Sequence, residues 1–139
     1  MNHWLFKTEP DTWSWQMQVA RGKQGEGWTG VRNHQAANNM KAMRKGDRGF
    51  FYHTGEERRI VGIVRVIEEY QPDPTDESGR FGMVRVMAEA PFKSPVALAA
   101  IKAEPRLAEL ALVRHSRLSV MPIPAPAWKL ICGMGGVKP

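Results

Sequence analysis

Residues 60–67, Ile60-Val61-Gly62-Ile63-Val64-Arg65-Val66-Ile67, are almost entirely apolar and predict a central β-strand buried in the protein. The aromatic residues before them, Gly49-Phe50-Phe51-Tyr52-His53, predict a second strand, joined to the first by the polar turn 54–59. A third strand is predicted at 81–89, after a loop at 71–80 that contains two prolines and three acidic residues. These three segments predict the middle of a sheet.

The regions on either side add a strand and short helices. On the N-terminal side we predict a strand at 3–8, a helix over about 12–20 capped by Asp11 or Thr12, a glycine-rich loop at 21–30 and a helix over about 34–44 capped by Asn33. On the C-terminal side, Pro91 and Pro95 are predicted to end the third strand, since proline cannot donate a backbone hydrogen bond. Helical turns at 96–102 and 105–112, a brief strand at 118–120 and a helix at 126–132 follow.

Strands and helices do not alternate regularly, and no internal repeat or linker is present, so the sequence predicts one mixed α+β domain over residues 1–139. A small curved or barrel-like sheet with helices packed on it fits this order of elements.

The chain is basic, with 20 Lys and Arg against 14 Asp and Glu and a net charge of +6. The excess is spread over both halves, so it favours encounter with polyanions without identifying one; a merely soluble basic protein has the same composition. One cysteine, Cys132, excludes an internal disulfide and fits a reducing compartment. With no signal peptide and no membrane-spanning run, we expect a cytoplasmic protein without a membrane partner.

Signatures of catalysis are absent from the sequence. There is no G-x-S-x-G elbow, and His115 and Ser116 are neighbours that a strand would point to opposite faces. The four histidines have no metal-ligand spacing. We therefore expect no catalytic residue, no metal and no cofactor. An enzyme acting on a modified nucleotide or nucleoside, or a protein-interaction module, remain the alternatives.

The aromatic residues carry the strongest functional signal. Four of the five tryptophans lie within residues 4–28, and Trp28 stands in a glycine-rich loop just before Gly30-Val31-Arg32-Asn33. A large ring beside arginine and asparagine is typical of a stacking wall with hydrogen-bonding groups next to it.

Four separated motifs in this chain resemble the EVE domain family, which is related to the PUA and YTH domains. They are Trp4-x-Phe6-Lys7-Thr8-Glu9-Pro10, Trp28-x-Gly30-Val31-Arg32-Asn33-His34-Gln35-Ala36-x-Asn38-Asn39-Met40, Phe50-Phe51-Tyr52-His53-Thr54 and Leu112-Val113-Arg114-His115-Ser116-Arg117-Leu118-Ser119-Val120. The resemblance implies a PUA-like fold, in which a curved sheet closes into a pseudobarrel with flanking short helices. It also implies a nucleic-acid binding protein that takes one flipped-out, modified base of DNA or RNA, such as a modified cytosine, into an aromatic pocket. Given the absence of catalytic signatures, we expect this protein to be non-enzymatic, and we expect a monomer.

Residue roles follow from the same resemblance. The base pocket would have Trp28 and Tyr52 as walls, Thr8, Glu9, Val31 and Asn33 at the base edge, and Asn39 and Ser116 as supporting polar groups. Phosphate binding would fall to Lys7, Arg32, Arg114 and Arg117. The chain departs from the family pattern at Thr8, Thr29, His34 and Ala37, where serine, aspartate, tyrosine and arginine are common. The departures leave the preferred base open.

Overall fold

Six strands form one sheet in the computed structural model, which describes residues 1–139. The strands are β1 (His3–Thr8), β2 (Glu26–Gly27), β3 (Arg48–His53), β4 (Arg59–Pro72), β5 (Gly82–Ala97) and β6 (Val120–Ile123). The helices are α1 (Trp15–Ala20), α2 (His34–Lys41), α3 (Leu98–Lys102), α4 (Ala111–Arg114) and α5 (Ala125–Gly135), with 3-10 turns at Gly22–Gln24 and Pro105–Leu107. None of these helices combines the length and the apolar character that crossing a membrane requires.

The strand order is β2-β5-β4-β3-β1-β6. Strands β1 and β3 run parallel, whereas every other neighbouring pair is antiparallel. The edge strands β2 and β6 do not pair with each other, so the sheet is curved but stays open. The predicted α+β fold with a curved sheet and short flanking helices is confirmed, and the sheet does not close into a barrel.

Strands β4 and β5 are longer than the sequence predicts, and their pairing shifts register at four places. Such bulges bend and twist a sheet, which accounts for its curvature. The prediction that Pro91 and Pro95 end the third strand is wrong, because both lie within β5. Pro91 lies opposite Gly62 of β4, next to a register irregularity, and β2 pairs only with Arg85 and Val86, so the rest of β5 lacks a partner on that edge. Proline is tolerated at bulges and on edge strands.

The two faces of the sheet bury different aromatic groups. On one face, Phe6 and Phe51 contact Trp28, with ring centroids 5.1 and 5.7 Å from the indole. On the other face, Phe50 stacks on Trp128 of α5 at 4.0 Å. The alternation follows from the strand period of two, since Phe50 and Phe51 are neighbours on β3.

Local capping corrects one helix start and confirms another. Helix α1 begins at Trp15 because the Ser14 hydroxyl accepts from the backbone N–H of Met17, so the prediction of a cap at Asp11 or Thr12 is wrong. The predicted cap of α2 is confirmed, with Asn33 Oδ1 accepting from the N–H of Ala36 at 2.9 Å. Helix α2 is shorter than predicted and ends at Lys41.

Candidate base-binding cavity

A cavity of about 420 Å³ opens where the end of β1 meets the loop that follows β2. Twelve residues line it: Lys7, Thr8, Thr12, Trp13, Glu26, Gly27, Trp28, Thr29, Gly30, Val31, Arg32 and Ser119. Only Trp13, Trp28 and Val31 among them are hydrophobic, so the lining combines an aromatic wall with hydroxyl and charged groups. A volume of roughly 300–1,000 Å³ is usual for small-molecule sites.

Trp28 forms a rigid wall of this cavity. Its side chain is 7% exposed and packs edge-on against Phe6 and Phe51, while its backbone N–H donates to the carbonyl of Val84 at 2.7 Å. The only fully buried side-chain nitrogen or oxygen without a partner belongs to Trp128. The indole N–H of Trp28 bonds to no other group of the chain, and it is not fully buried.

Two glycines shape the loop around Trp28. A Cβ at Gly27 would lie 2.7 Å from the sulfur of Met83, so a larger residue here requires the Met83 side chain to move. Gly30 has a φ of 84°, a left-handed conformation that favours glycine. The glycines therefore have a structural reason that their sequence pattern alone did not specify.

Asp73 holds this loop from behind. Its Oδ2 accepts from the N–H of Gly30 at 2.9 Å and from the Arg32 guanidinium at 3.0 Å, and its Oδ1 accepts from the N–H and hydroxyl of Thr75, both at 2.7 Å. Burial raises the pKa of the Asp73 carboxyl, but the hydrogen bonds from Thr75, Gly30 and Arg32 outweigh burial and keep the pKa below its usual value. The carboxylate is thus charged at neutral pH and fixes the cavity wall.

The hydroxyl of Thr8 keeps its acceptor capacity for a ligand. It donates to the carbonyl of Trp13 at 2.9 Å, and this leaves its lone pairs free. Trp13 is held in turn, since its indole N–H donates to Gln18 Oε1 at 2.9 Å. Gln18 is fully buried and donates onward to the carbonyl of Val86. A chain of hydrogen bonds therefore orders this side of the cavity.

Lys7 adds a cation that no carboxylate neutralises. Its ammonium donates to the carbonyl of Ser116 at 2.9 Å and lies 5.8 Å from the ring centre of Tyr52. Burial lowers the pKa of this ammonium, and burial also raises the pKa of the Tyr52 phenol. Lys7 therefore places a positive charge at the cavity. The structure contains no group of three His, Cys, Asp or Glu residues that could hold a metal ion.

Comparison with known proteins identifies the family to which the chain belongs. The family model for the EVE domain matches residues 2–134, nearly the whole chain. The chain belongs to the EVE domain family.

Relatives of this EVE domain include proteins of known structure. Chicken thymocyte nuclear protein 1 is 30% identical, over 99% of this chain and 70% of that protein. A Rhodopseudomonas palustris protein is 58% identical with a TM-score of 0.92, over 98% of this chain and 94% of that one. The human THYN1 protein, solved in complex with DNA containing 5-methylcytosine, is 27% identical with a TM-score of 0.91 and full coverage of both chains.

Five of the residues expected from the sequence line the cavity of the EVE domain, namely Lys7, Thr8, Trp28, Val31 and Arg32. Others lie elsewhere. Tyr52 is paired with Lys7 across β3 and β1, one residue out of phase with Phe51, and is not part of the lining. Asn33 is exposed at the start of α2 and directly follows the lining residue Arg32.

The remaining expected residues do not line the cavity. Glu9 is exposed and accepts from the hydroxyl of Thr54 at 3.4 Å. Asn39 donates to the carbonyl of Val120 and so attaches α2 to β6. Ser116 offers its carbonyl to Lys7, while Arg114 pairs with Glu109 and Arg117 is exposed.

Sequence reasoning misses several residues of the EVE cavity. Seven lining residues are not expected from the sequence, namely Thr12, Trp13, Glu26, Gly27, Thr29, Gly30 and Ser119. Asp73 falls in a segment predicted to be a solvated loop, but it is 3% exposed. The pattern Asp73-Pro74-Thr75 is a local signal for a side-chain turn, which could have pointed to an ordered carboxylate but not to its partner Gly30.

Proposed function

We propose that this EVE domain is a non-enzymatic DNA-binding protein that accepts one modified base, rotated out of the base stack, into the Trp28 cavity. The observation that carries the proposal is a ligand-sized cavity with a fixed indole wall and a lysine ammonium that no carboxylate neutralises. The human relative bound to DNA containing 5-methylcytosine makes that base the first candidate.

The free-energy cost of rotating a base out of the stack is comparable to the free energy that the cavity and the phosphate contacts can return. Taking a base out of a duplex costs a few kcal/mol. Stacking on an aromatic side chain returns about 1–3 kcal/mol, and contacts to phosphate add affinity that depends on salt. Trp28 loses no conformational freedom on binding, because Phe6 and Phe51 already hold its ring.

Selectivity among bases then depends on polar groups. One methyl group contributes only about 0.8 kcal/mol through apolar burial. A buried donor or acceptor left without a partner costs about 1–3 kcal/mol. The Thr8 hydroxyl, the Trp28 indole N–H and the hydroxyls of Thr29 and Ser119 are the groups of the lining that would read the base edge.

A matched pair of tryptophans tests the proposal. Trp15 and Trp28 both pack edge-on against Phe51, at 5.2 and 5.7 Å, but only Trp28 lines the cavity. Trp28→Ala is expected to weaken binding of a duplex with one 5-methylcytosine by about 5- to 150-fold, the loss of one stacked base. Trp15→Ala, compared at equal folded fraction, is expected to change affinity little. If the alanine variant is unstable, Trp28→Phe is measured in its place, and an intermediate loss of affinity is expected.

Further arms of the experiment address each part of the proposal. Lys7→Ala is expected to weaken binding far less than Trp28→Ala, and equal losses would count against a base pocket. A 2-aminopurine next to the modified base is expected to brighten on binding, because rotation of its neighbour removes a stacking partner. RNA of the same sequence tests whether the nucleic acid is DNA, and turnover of modified nucleosides would overturn the non-enzymatic assignment.

A further inference from the structure

The loop between β4 and β5 contains an acidic residue that contacts the cavity from outside. Asp73 follows β4 directly, and its side chain is fully shielded from solvent. Its four hydrogen bonds come from Gly30, Arg32 and Thr75. Two of these donors belong to the cavity lining, more than 40 residues away in sequence.

The same contacts determine what Arg32 can do. Its guanidinium donates to Asp73 at 3.0 Å, to the carbonyl of Val31 at 3.0 Å and to the Thr75 hydroxyl at 2.9 Å, and it lies 5.9 Å from the ring centre of Phe81. A guanidinium bound to a buried carboxylate is a fixed, neutralised group. Arg32 is therefore held as part of the cavity wall and is not a free contact for phosphate.

We infer that Asp73 is a positioning residue for base selectivity: it fixes the Gly30–Arg32 wall of the cavity and keeps the Arg32 charge from driving unselective attraction to phosphate. This inference rests on the proposed function and names the residue that gives the cavity its discrimination. Without the carboxylate, the N–H of Gly30 loses its acceptor and the guanidinium becomes free.

The same loop offers a matched control. Asp76 accepts from the N–H and hydroxyl of Ser78 and from the N–H of Phe81, and it makes no hydrogen bond to the cavity loop. It also lies close enough to Arg32 for their charges to interact. Asp76→Ala therefore removes an equal charge near the same guanidinium while leaving the wall contacts intact.

The experiment measures the affinity ratio between duplexes with and without one 5-methylcytosine. We expect Asp73→Ala to lower this ratio by about tenfold, mainly through the modified duplex, while affinity for the unmodified duplex is kept or increased. We expect Asp76→Ala to keep the ratio of the wild type. If both variants keep it, or both lose it equally, Asp73 has no positioning role and the inference is overturned.

Two further measurements distinguish failure of the inference from a folding defect and from failure of the proposed function. Thr75→Ala removes an exposed hydroxyl that bonds to both Asp73 and Arg32, so it loosens the wall without emptying a buried site. It is expected to lower the ratio partly, and full retention of selectivity in this variant would overturn the inference even if Asp73→Ala does not fold. A wild-type protein that fails to discriminate the two duplexes contradicts the proposed function itself, before any variant is compared.

Discussion

Gly62 illustrates how a single residue sets the packing of an aromatic group next to the cavity. A Cβ at this position would lie 2.5–2.7 Å from three carbons of the Trp15 ring, so alanine cannot be accommodated without displacing the indole. Overfilling a packed site costs about 1–3 kcal/mol. We expect Gly62→Ala to lower the free energy of unfolding by about that amount, as measured by urea denaturation.

At Gly133, substitution by alanine is expected to change the free energy of unfolding in the opposite direction. Gly133 lies inside α5, where an added Cβ would have no neighbouring atom within 4 Å, and alanine is a better helix former than glycine. Gly133→Ala is therefore expected to raise the free energy of unfolding by about 0.5–1 kcal/mol. A destabilised Gly133→Ala together with a neutral Gly62→Ala would contradict this account of the packing.

At the scale of single elements, Asn33 has two separable roles. Its Oδ1 caps α2, while its amide N–H groups bond to nothing in the chain and remain free for a base edge. Asn33→Ser keeps a good cap, so the unfolding free energy should be unchanged, and affinity for modified DNA should fall several-fold as the amide is lost. Asn33→Ala should lose affinity and also about 0.5–2 kcal/mol of stability.

A lowered unfolding free energy in Asn33→Ser would contradict the expectation that serine keeps the cap. If Asn33→Ser binds modified DNA like the wild type, the residue is a helix cap and has no part in binding. Thermal unfolding and DNA titration of the same preparations make the comparison direct.

Elements with strong local signals could be predicted from the sequence. The apolar run 60–67 lies in β4, and Asn33 caps α2 as expected, because burial and capping are properties of neighbouring residues. The ends of β5 could not be predicted. Whether Pro91 breaks a strand depends on the pairing around it, namely a register irregularity opposite Gly62 and a β2 that pairs with only two residues of β5.

The cavity could be predicted only where a local sequence signal marks its residues. Trp28 is expected from its glycine-bordered loop, and it lines the cavity. Tyr52 is expected as a second wall, but a shift of one residue along a strand reverses the face, and it is Phe51 that contacts Trp28. The bond from Gly30 to Asp73 joins distant segments, so only the tertiary structure reveals it.

At the scale of the whole molecule, the net charge of +6 overstates the number of cations that the proposed function would offer a phosphate backbone. Of the four cations expected there, Arg32 is held by the fully shielded Asp73. Arg114 pairs with Glu109, but the Glu109 side chain is 84% exposed, and such a surface pair contributes little and yields readily to phosphate. Lys7 and Arg117 have no carboxylate partner. Under the proposed function, three of the four cations would therefore be available to phosphate.

The salt dependence of DNA binding tests this count. For duplex DNA the logarithm of the binding constant falls with the logarithm of salt concentration by about 0.9 per neutralised phosphate, so three contacts predict a slope of about −2.7. Arg114→Ala and Arg117→Ala should each bring the slope closer to zero by about 0.9, while Arg32→Gln should leave it unchanged. The measurement is a set of duplex titrations across a range of potassium chloride concentrations. A slope reduced by Arg32→Gln as much as by Arg114→Ala would mean that DNA displaces Asp73 from Arg32, because only a released guanidinium can neutralise a phosphate.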